Sequence, residues 1–325
     1  MNAFYRFVAK NIAEIRLFFL YGFFLSSFFT PLAIYFGNKL NIVDKPERED
    51  GSEKIHKMTI PRSGGIAIYL SMIVLLLIIG NYTRQFLGIF LGATAIFAGM
   101  LIDDRKALSF RMKFLIQFIA AFIAIASGIR FTSITIPFSN YVIQFGFFGV
   151  ILTAIWIVGV INAVNIIDGL DGLASGVATI AAFSLSIVSM YKGHIEIALL
   201  LLGISGVLLA FLIYNFHPAR IFLGDSGAEL VGFLLGTISV VGAYKTAALF
   251  SIAVPILILG VPVSEVFTSI IRRLISGNSP FKYDTEHIHY KLLRLGWSQR
   301  KIAFLYYFIT ALLSFIGIGI AFGAR

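Results

Sequence analysis

Long apolar runs separated by short polar connections dominate this chain. Ten of them, at about residues 17–36, 64–80, 86–102, 112–129, 143–162, 173–190, 196–215, 228–243, 247–270 and 302–322, are long enough to cross a bilayer as helices. The pattern predicts an all-α, polytopic integral membrane protein of about ten transmembrane helices. No polar run is long enough for a separate soluble domain, so residues 1–325 are expected to form one transmembrane domain. The first sixteen residues carry Arg6, Lys10, Glu14 and Arg16 among aromatics. They read as an interfacial lead-in, without the small-residue cleavage site of a signal peptide.

Composition strengthens this picture. The chain is 58% hydrophobic and only 13% charged, with a mean hydropathy of +0.92, far beyond the apolar share of a soluble domain. It has no cysteine, which excludes disulfides and thiolate metal sites. The net charge of +10 would suit nucleic acid, but its distribution argues for a bilayer and against nucleic acid. Ten spans put residues 37–63, 103–113, 163–172, 214–228 and 270–303 on one side, and these hold 18 of the 26 basic residues. The positive-inside rule makes that side cytoplasmic and leaves both termini outside.

The polar clusters fall on the same side. Asn162-Ala-Val-Asn165-Ile-Ile-Asp168-Gly-Leu-Asp171-Gly follows an apolar run and holds two amides and two carboxylates. Charged groups at a span are expensive, so such a cluster marks function. Asn162, Asn165 and Asp168 share one broad face if the helix continues through them, and Gly169 and Gly172 permit a turn. Hard oxygen donors of this kind suit Mg²⁺, which is commonly shared with substrate phosphates. A helix cap is the plainer alternative, though a cap needs one such residue.

Four further clusters join it. In Gly224-Asp225-Ser226-Gly227 a carboxylate sits just before an apolar run, in an N-cap-like position. Asp103 and Asp104, being adjacent, would point about 100° apart on a helix. One is a candidate base or ligand and the other a partner for Arg105 or Lys113. His287 and His289, two apart, suit a loop or strand better than a helical metal pair, and serve to hold phosphate or protons. The fourth is the loop around Lys57 and Arg62; with Lys113 these are candidates for phosphate contacts, against the commoner role of anchoring to anionic lipid. His194 and His217 read as surface or interfacial residues.

In this order, Pro61-Arg62-Ser-Gly-Gly65, Asp103-Asp104, the Asn162 to Gly172 cluster, Phe222-Leu-Gly-Asp225-Ser-Gly, and Ser279-Pro-Phe through His287-Ile-His289 resemble the polyprenyl-phosphate N-acetylhexosamine-1-phosphate transferases. That membrane family includes phospho-MurNAc-pentapeptide translocase and the undecaprenyl-phosphate GlcNAc-1-phosphate transferases. The resemblance, over residues 40 to 300, implies a ten- or eleven-span fold, a cytoplasmic site for Mg²⁺ or Mn²⁺, a nucleotide-sugar donor and a lipid-phosphate acceptor. His287-Ile-His289-Tyr290 looks like the branch using a UDP-N-acetylhexosamine, since the muropeptide branch usually has three consecutive histidines there. Two departures are Glu265, where the family often has Asp, and Ala107, where the muropeptide branch has Lys; Lys106 is its nearest substitute.

The resemblance implies transfer of GlcNAc-1-phosphate from a UDP sugar to undecaprenyl phosphate in a bacterial inner membrane, releasing UMP and starting a cell-envelope polysaccharide. Asp225, with Asn165 or Asp168, would hold the metal on the donor diphosphate. Asp103 or Asp104 would keep the acceptor deprotonated, and His287 and His289 would stabilise transferred charge. Asn162, Asp171, Lys57, Arg62 and Lys113 would contact substrate, and a homodimer is compatible with the chain. The rivals are the muropeptide transferase and an ion-coupled transporter. The transporter would place carboxylates near the midplane between repeats, and no repeat is visible.

Overall fold

The apolar runs fold as helices close to where the pattern puts them. The computed structural model describes residues 2–46, 58–80, 83–135, 141–242, 250–277 and 286–323. The described helices are α1 (Asn2–Lys39), α2 (Gly64–Ile79), α3 (Arg84–Arg105), α4 (Phe110–Ala126), α5 (Phe148–Ile167), α6 (Leu173–Tyr191), α7 (Ile195–Asn215), α8 (Gly224–Gly242), α9 (Phe250–Ile258), α10 (Gly260–Ile275), α11 (Ile288–Arg294) and α12 (Gln299–Gly323). Two short antiparallel ladders join them: β1 (Val43–Asp44) with β2 (Ile60–Pro61), and β3 (Ser133–Thr135) with β4 (Val142–Gln144).

Seven of these helices, α1, α3, α5, α6, α7, α8 and α12, are long and apolar enough to cross a membrane; α2 is a shorter apolar helix. The remaining two expected runs are α4, of 17 residues, and the pair α9 and α10. The run expected at 247–270 is broken at Leu259. Pro262 has no N–H to give to the Ile258 carbonyl four residues back, and its ring crowds that carbonyl, so the helix restarts at Gly260.

Other boundaries move as well. α1 is one helix from Asn2, so the lead-in continues into the span without a break. The fifth span begins at Phe148, five residues later than the pattern suggests, because Val142–Gln144 pair with Ser133–Thr135. β-branched residues at Thr132, Ile134 and Thr135 and at Val142 and Ile143 favour that ladder. Several stretches expected as loops are helix ends: Asp103 and Asp104 belong to α3, Lys113 to α4, Asn165 to α5 and Asp225 to α8.

Burial sorts the helices. α7 packs between α1 and α6, and α8 between α3 and α5. In α8 94% of the apolar window is buried, against 22% in α1 and 33% in α12, which present aromatic and aliphatic side chains outward. Yet α8 has the lowest mean hydropathy of the seven, 1.2 against 2.7 for α7. The most enclosed span is the least apolar, so its polar residues face neighbouring helices. Phe211, Phe233, Ile157 and Ile161 fill the core around it.

Candidate active site

The site is framed by backbone hydrogen bonds between two sequence motifs. Arg62 donates its N–H to the Ile42 carbonyl at 3.0 Å, extending the β1–β2 ladder. On the other side Phe222 N–H reaches the Pro61 carbonyl at 2.8 Å, while Gly64 and Gly65 donate to the carbonyls of Phe222 and Leu223 at 3.0 Å. The Pro-Arg-Ser-Gly-Gly segment is thereby laid against Phe222-Leu-Gly224. Gly224 opens α8 with φ +69, and a Cβ there would lie 2.4 Å from the Arg62 carbonyl and 2.8 Å from an Asp104 oxygen. Both the left-handed backbone and the close approach require glycine.

At this junction carboxylates and cations interleave. The Asp104 side chain, fully enclosed, accepts the N–H groups of Asp225 (2.8 Å) and Ser226 (3.1 Å). It therefore caps the first turn of α8, where free N–H groups and the helix dipole favour an anion. Asp225 meets Lys113 through one oxygen and Arg62, at 3.2 Å, through the other. Lys113 also reaches Asp103 at 2.6 Å, and Asp103 accepts Leu108 N–H at 2.6 Å. Adjacent in sequence, Asp103 and Asp104 diverge as a helix dictates, one to α4 and the other to α8. Lys106 is exposed, and Lys113 takes the position beside Asp225.

Arg62 and Asp168 feel this field. Burial by itself would depress the Arg62 guanidinium, but the charges of Asp225 and Asp104 outweigh it and raise its pKa. Asp168, the C-cap of α5, is pushed well above the ordinary carboxylate range by desolvation. The negative charge of Asp225 adds to this, while Arg62 opposes it. Four carboxylates, Asp103, Asp104, Asp168 and Asp225, thus share two cationic side chains, Arg62 and Lys113. A divalent ion beside Asp225 would offset that repulsion and favour the ionised form of Asp168. Among the described residues no group of three or more His, Cys, Asp or Glu side chains forms a ready-made metal cage. Mg²⁺ does not need one, since it takes one or two carboxylates and completes its shell with water and phosphate oxygens. The donor set around Asp225 fits that habit.

Behind the carboxylates lies a chain of amides. Asn162 Nδ2 donates to Gln117 Oε1 (2.8 Å), Gln117 Nε2 to Glu229 Oε2 (3.0 Å), and Asn165 Nδ2 to Glu229 Oε1 (3.2 Å). Ending on Glu229, the chain sets which way each amide faces and leaves the Asn165 carbonyl oxygen free of that contact. Glu229 and Gln117 escape a motif reading, although each carries a signal. Glu229 is a carboxylate one turn beyond Asp225 on the same face of an apolar run, and Gln117 is one turn beyond Lys113.

His287 and His289 meet the turn that follows α5. His287 is the N-cap of α11 with extended backbone and His289 lies in its first turn, so the pair sits on a helix start rather than the expected loop or strand. Their rings are parallel, 3° apart in plane with centroids separated by 5.6 Å. Gly169 lies against the second of them: a Cβ there would be 2.5 Å from the Tyr290 hydroxyl and 2.9 Å from His289 Nε2. Beyond the glycine, Asp171 accepts from Ala219 N–H (3.2 Å) and sits 2.7 Å from His217 Nδ1. His217 is therefore built into the turn and is no bystander. His289 thus meets the turn that carries Asp168 and Asp171, with the His287 ring parallel to its own, while Arg62, Asp103, Asp104, Lys113 and Asp225 form the adjoining cluster. Asn162 and Asn165 stand behind both, and Lys57 lies outside the described residues.

Comparison with known proteins shows the family. The family model described as Glycosyl transferase family 4 matches residues 86–243, which span α3 to α8. A probable undecaprenyl-phosphate N-acetylglucosaminyl 1-phosphate transferase of Bacillus subtilis is 34% identical over 286 residues, covering 88% of this chain and 79% of the relative. A decaprenyl-phosphate N-acetylglucosaminephosphotransferase of Mycobacterium leprae is 32% identical over 321 residues, 90% of this chain and 80% of the relative. A phospho-N-acetylmuramoyl-pentapeptide-transferase of Clostridium perfringens is 29% identical over 306 residues, 91% and 95%. With its motifs, its multi-pass helical fold and these relatives in agreement, the chain belongs to glycosyl transferase family 4, among the membrane-embedded polyprenyl-phosphate N-acetylhexosamine-1-phosphate transferases.

Proposed function

We propose that this protein transfers N-acetylhexosamine-1-phosphate, and GlcNAc-1-phosphate first among the candidates, from a UDP sugar to undecaprenyl phosphate. An oxygen of the acceptor phosphate bonds to the phosphorus that carries the sugar. The bond from that phosphorus to the bridging oxygen breaks, and UMP leaves with the electron pair. The observation that carries this reading is the interleaved cluster of Asp225, Asp103, Asp104, Arg62 and Lys113 at one end of the helix array. Phosphoryl transfer needs little covalent chemistry from the protein and much positioning and charge compensation. Asp225 is the carboxylate to hold Mg²⁺, with Asn165 or Asp168 as second donor. The ion's contribution would be to neutralise the donor diphosphate and align it with the acceptor.

The other side chains divide the work. Arg62 and Lys113, which neutralise Asp225 in this structure, are in reach of phosphate oxygens brought to the same place. Asp104 supports the reaction by capping α8 and so fixing Asp225. Asp103 is the better candidate for a proton acceptor, yet a lipid phosphate with a second pKa near 6 is largely ionised at pH 7 and needs little help. His287 and His289 stand by the Asp168 turn to meet the transferred charge, and Asn162, Lys57 and Asp171 complete the substrate contacts. The carboxylates gather at a membrane surface, which suits a lipid headgroup meeting a soluble nucleotide sugar. By the loop charges this surface is the cytoplasmic face of a bacterial inner membrane.

Purified protein, undecaprenyl phosphate, Mg²⁺ and a panel of UDP sugars form the test. UDP-GlcNAc should yield lipid-linked sugar and UMP in equal amounts, and Asp225→Asn should abolish both. UDP-MurNAc-pentapeptide turnover in place of UDP-GlcNAc would move the protein to the muropeptide branch. No product from any donor would sink the proposal.

A further inference from the structure

Glu265, on α10, is 1% exposed, and a glutamate that deep is almost always paired. Its partners come from two other helices. Tyr306 on α12 donates its hydroxyl to Oε1, and Ile288 at the start of α11 donates its N–H to Oε2 at 3.2 Å. His289 turns Nδ1 to Oε1 at 3.3 Å, and His287 Nδ1 stands 3.6 Å from Oε2. Both rings thus direct the same nitrogen at one carboxylate. The opposite edge of His289 is different: Nε2 is buried with no hydrogen-bond partner, and it faces Gly169 in the turn between Asp168 and Asp171.

We infer that Glu265 is a positioning residue: by accepting the Nδ1 proton of His289 it fixes the ring's tautomer and plane, and so presents Nε2 to the Asp168–Asp171 turn. A carboxylate only accepts, so the nitrogen facing it is the one that carries hydrogen, and Nε2 is left for the other face. Tyr306 and the Ile288 N–H clamp the carboxylate from both sides, which limits its rotation and hence the ring's. The catalytic part of the inference rests on the transfer reading, in which His289 serves the reacting phosphates; the orientation of the ring does not.

The test uses protein labelled with ¹⁵N-histidine in lipid nanodiscs, with the His289 signal assigned by its loss in His289→Gln. Wild type should show His289 protonated at Nδ1. Glu265→Gln, which can offer an oxygen to only one side, should shift His289 toward the Nε2–H tautomer. It should also lower kcat on the order of 10- to 100-fold, the usual cost of losing such an orienting partner, with KM for the UDP sugar within about threefold. Glu265→Asp keeps the charge with a shorter reach and should fall between in both readouts, while Tyr306→Phe should keep the Nδ1–H form. If Glu265→Gln does not fold, the Asp and Phe variants carry the same comparison. An unchanged tautomer in Glu265→Gln, or a rate that falls with melting temperature instead of with tautomer, overturns the inference. The spectra need no substrate, so a tautomer shift in a protein that makes no lipid-linked sugar would uphold the orienting role and defeat the transfer reading.

Discussion

Replacing Lys113 with methionine removes the cation that bridges Asp103 and Asp225 while keeping most of the stem's volume. Asp103 would then retain the Leu108 N–H, and Asp225 would retain Arg62 on its other oxygen. Breaking a buried pair costs about 3–5 kcal/mol because a charge is stranded. Here the lysine side chain is 26% exposed, against 5% and 21% for its partners, and each carboxylate keeps one contact. A cost of about 2–3 kcal/mol follows from that range. At about 2 °C per kcal/mol in a chain of this size, the melting temperature should fall by roughly 4–6 °C. Thermal unfolding in detergent of Lys113→Met, Asp103→Asn and the double variant measures this. In the double variant the repulsion is gone with the cation, so much of the loss should return. Transfer should stay at least about 100-fold down in both Lys113 variants, a loss of roughly 2.7 kcal/mol in transition-state binding that repacking does not restore. A single variant that melts within about 1 °C of wild type, or a double variant no better than Lys113→Met, would refute the bridging role.

Three further outcomes follow from the geometry. Gly224→Ala combines a left-handed backbone with a Cβ 2.4 Å from the Arg62 carbonyl, so it should lose about 2 kcal/mol or more and most transfer; wild-type melting would contradict the close approach. Asp104→Ala removes two acceptors from the first turn of α8 and should cost about 1–2 kcal/mol, with Asp104→Asn losing less. Transfer lost at unchanged melting temperature would instead show Asp104 acting on substrate. Gln117→Leu takes one partner each from Asn162, which keeps the Val158 carbonyl, and from Glu229, which keeps Asn165, and should cost about 1–3 kcal/mol in all. Thermal unfolding measures this, and a Gln117→Leu variant that melts with the wild type would contradict the amide chain.

Much of this molecule is visible in its sequence because a bilayer restricts what a chain can do. Apolar length alone locates the spans, and the polar motifs between them mark the candidate site. What escapes the pattern is of two kinds. The break at Leu259 and the ladder of Ser133–Thr135 with Val142–Gln144 depend on local backbone chemistry that a hydropathy window averages away. Partners distant in sequence are harder still. Gln117 meets Glu229 across 112 positions, and Tyr306 meets Glu265 across 41. Each is an ordinary polar residue within a helix until the fold pairs it. His217 shows the same limit: only the folded chain sets it against Asp171, 46 residues away.

The enclosure of α8 also bears on how the protein is made. A segment with a mean hydropathy of 1.2 that carries both Asp225 and Glu229 in its first two turns is a poor candidate to enter a bilayer by itself, since an acidic group costs up to about 2.5–3.5 kcal/mol at a span centre and less toward the end where these two lie. Its counter-charges Arg62 and Lys113, its cap Asp104 and its amide partners Gln117 and Asn165 all precede it in the chain. Synthesis therefore completes the side chains that α8 needs before α8 itself, so the helix that bears the metal-binding candidate could insert against protein instead of lipid.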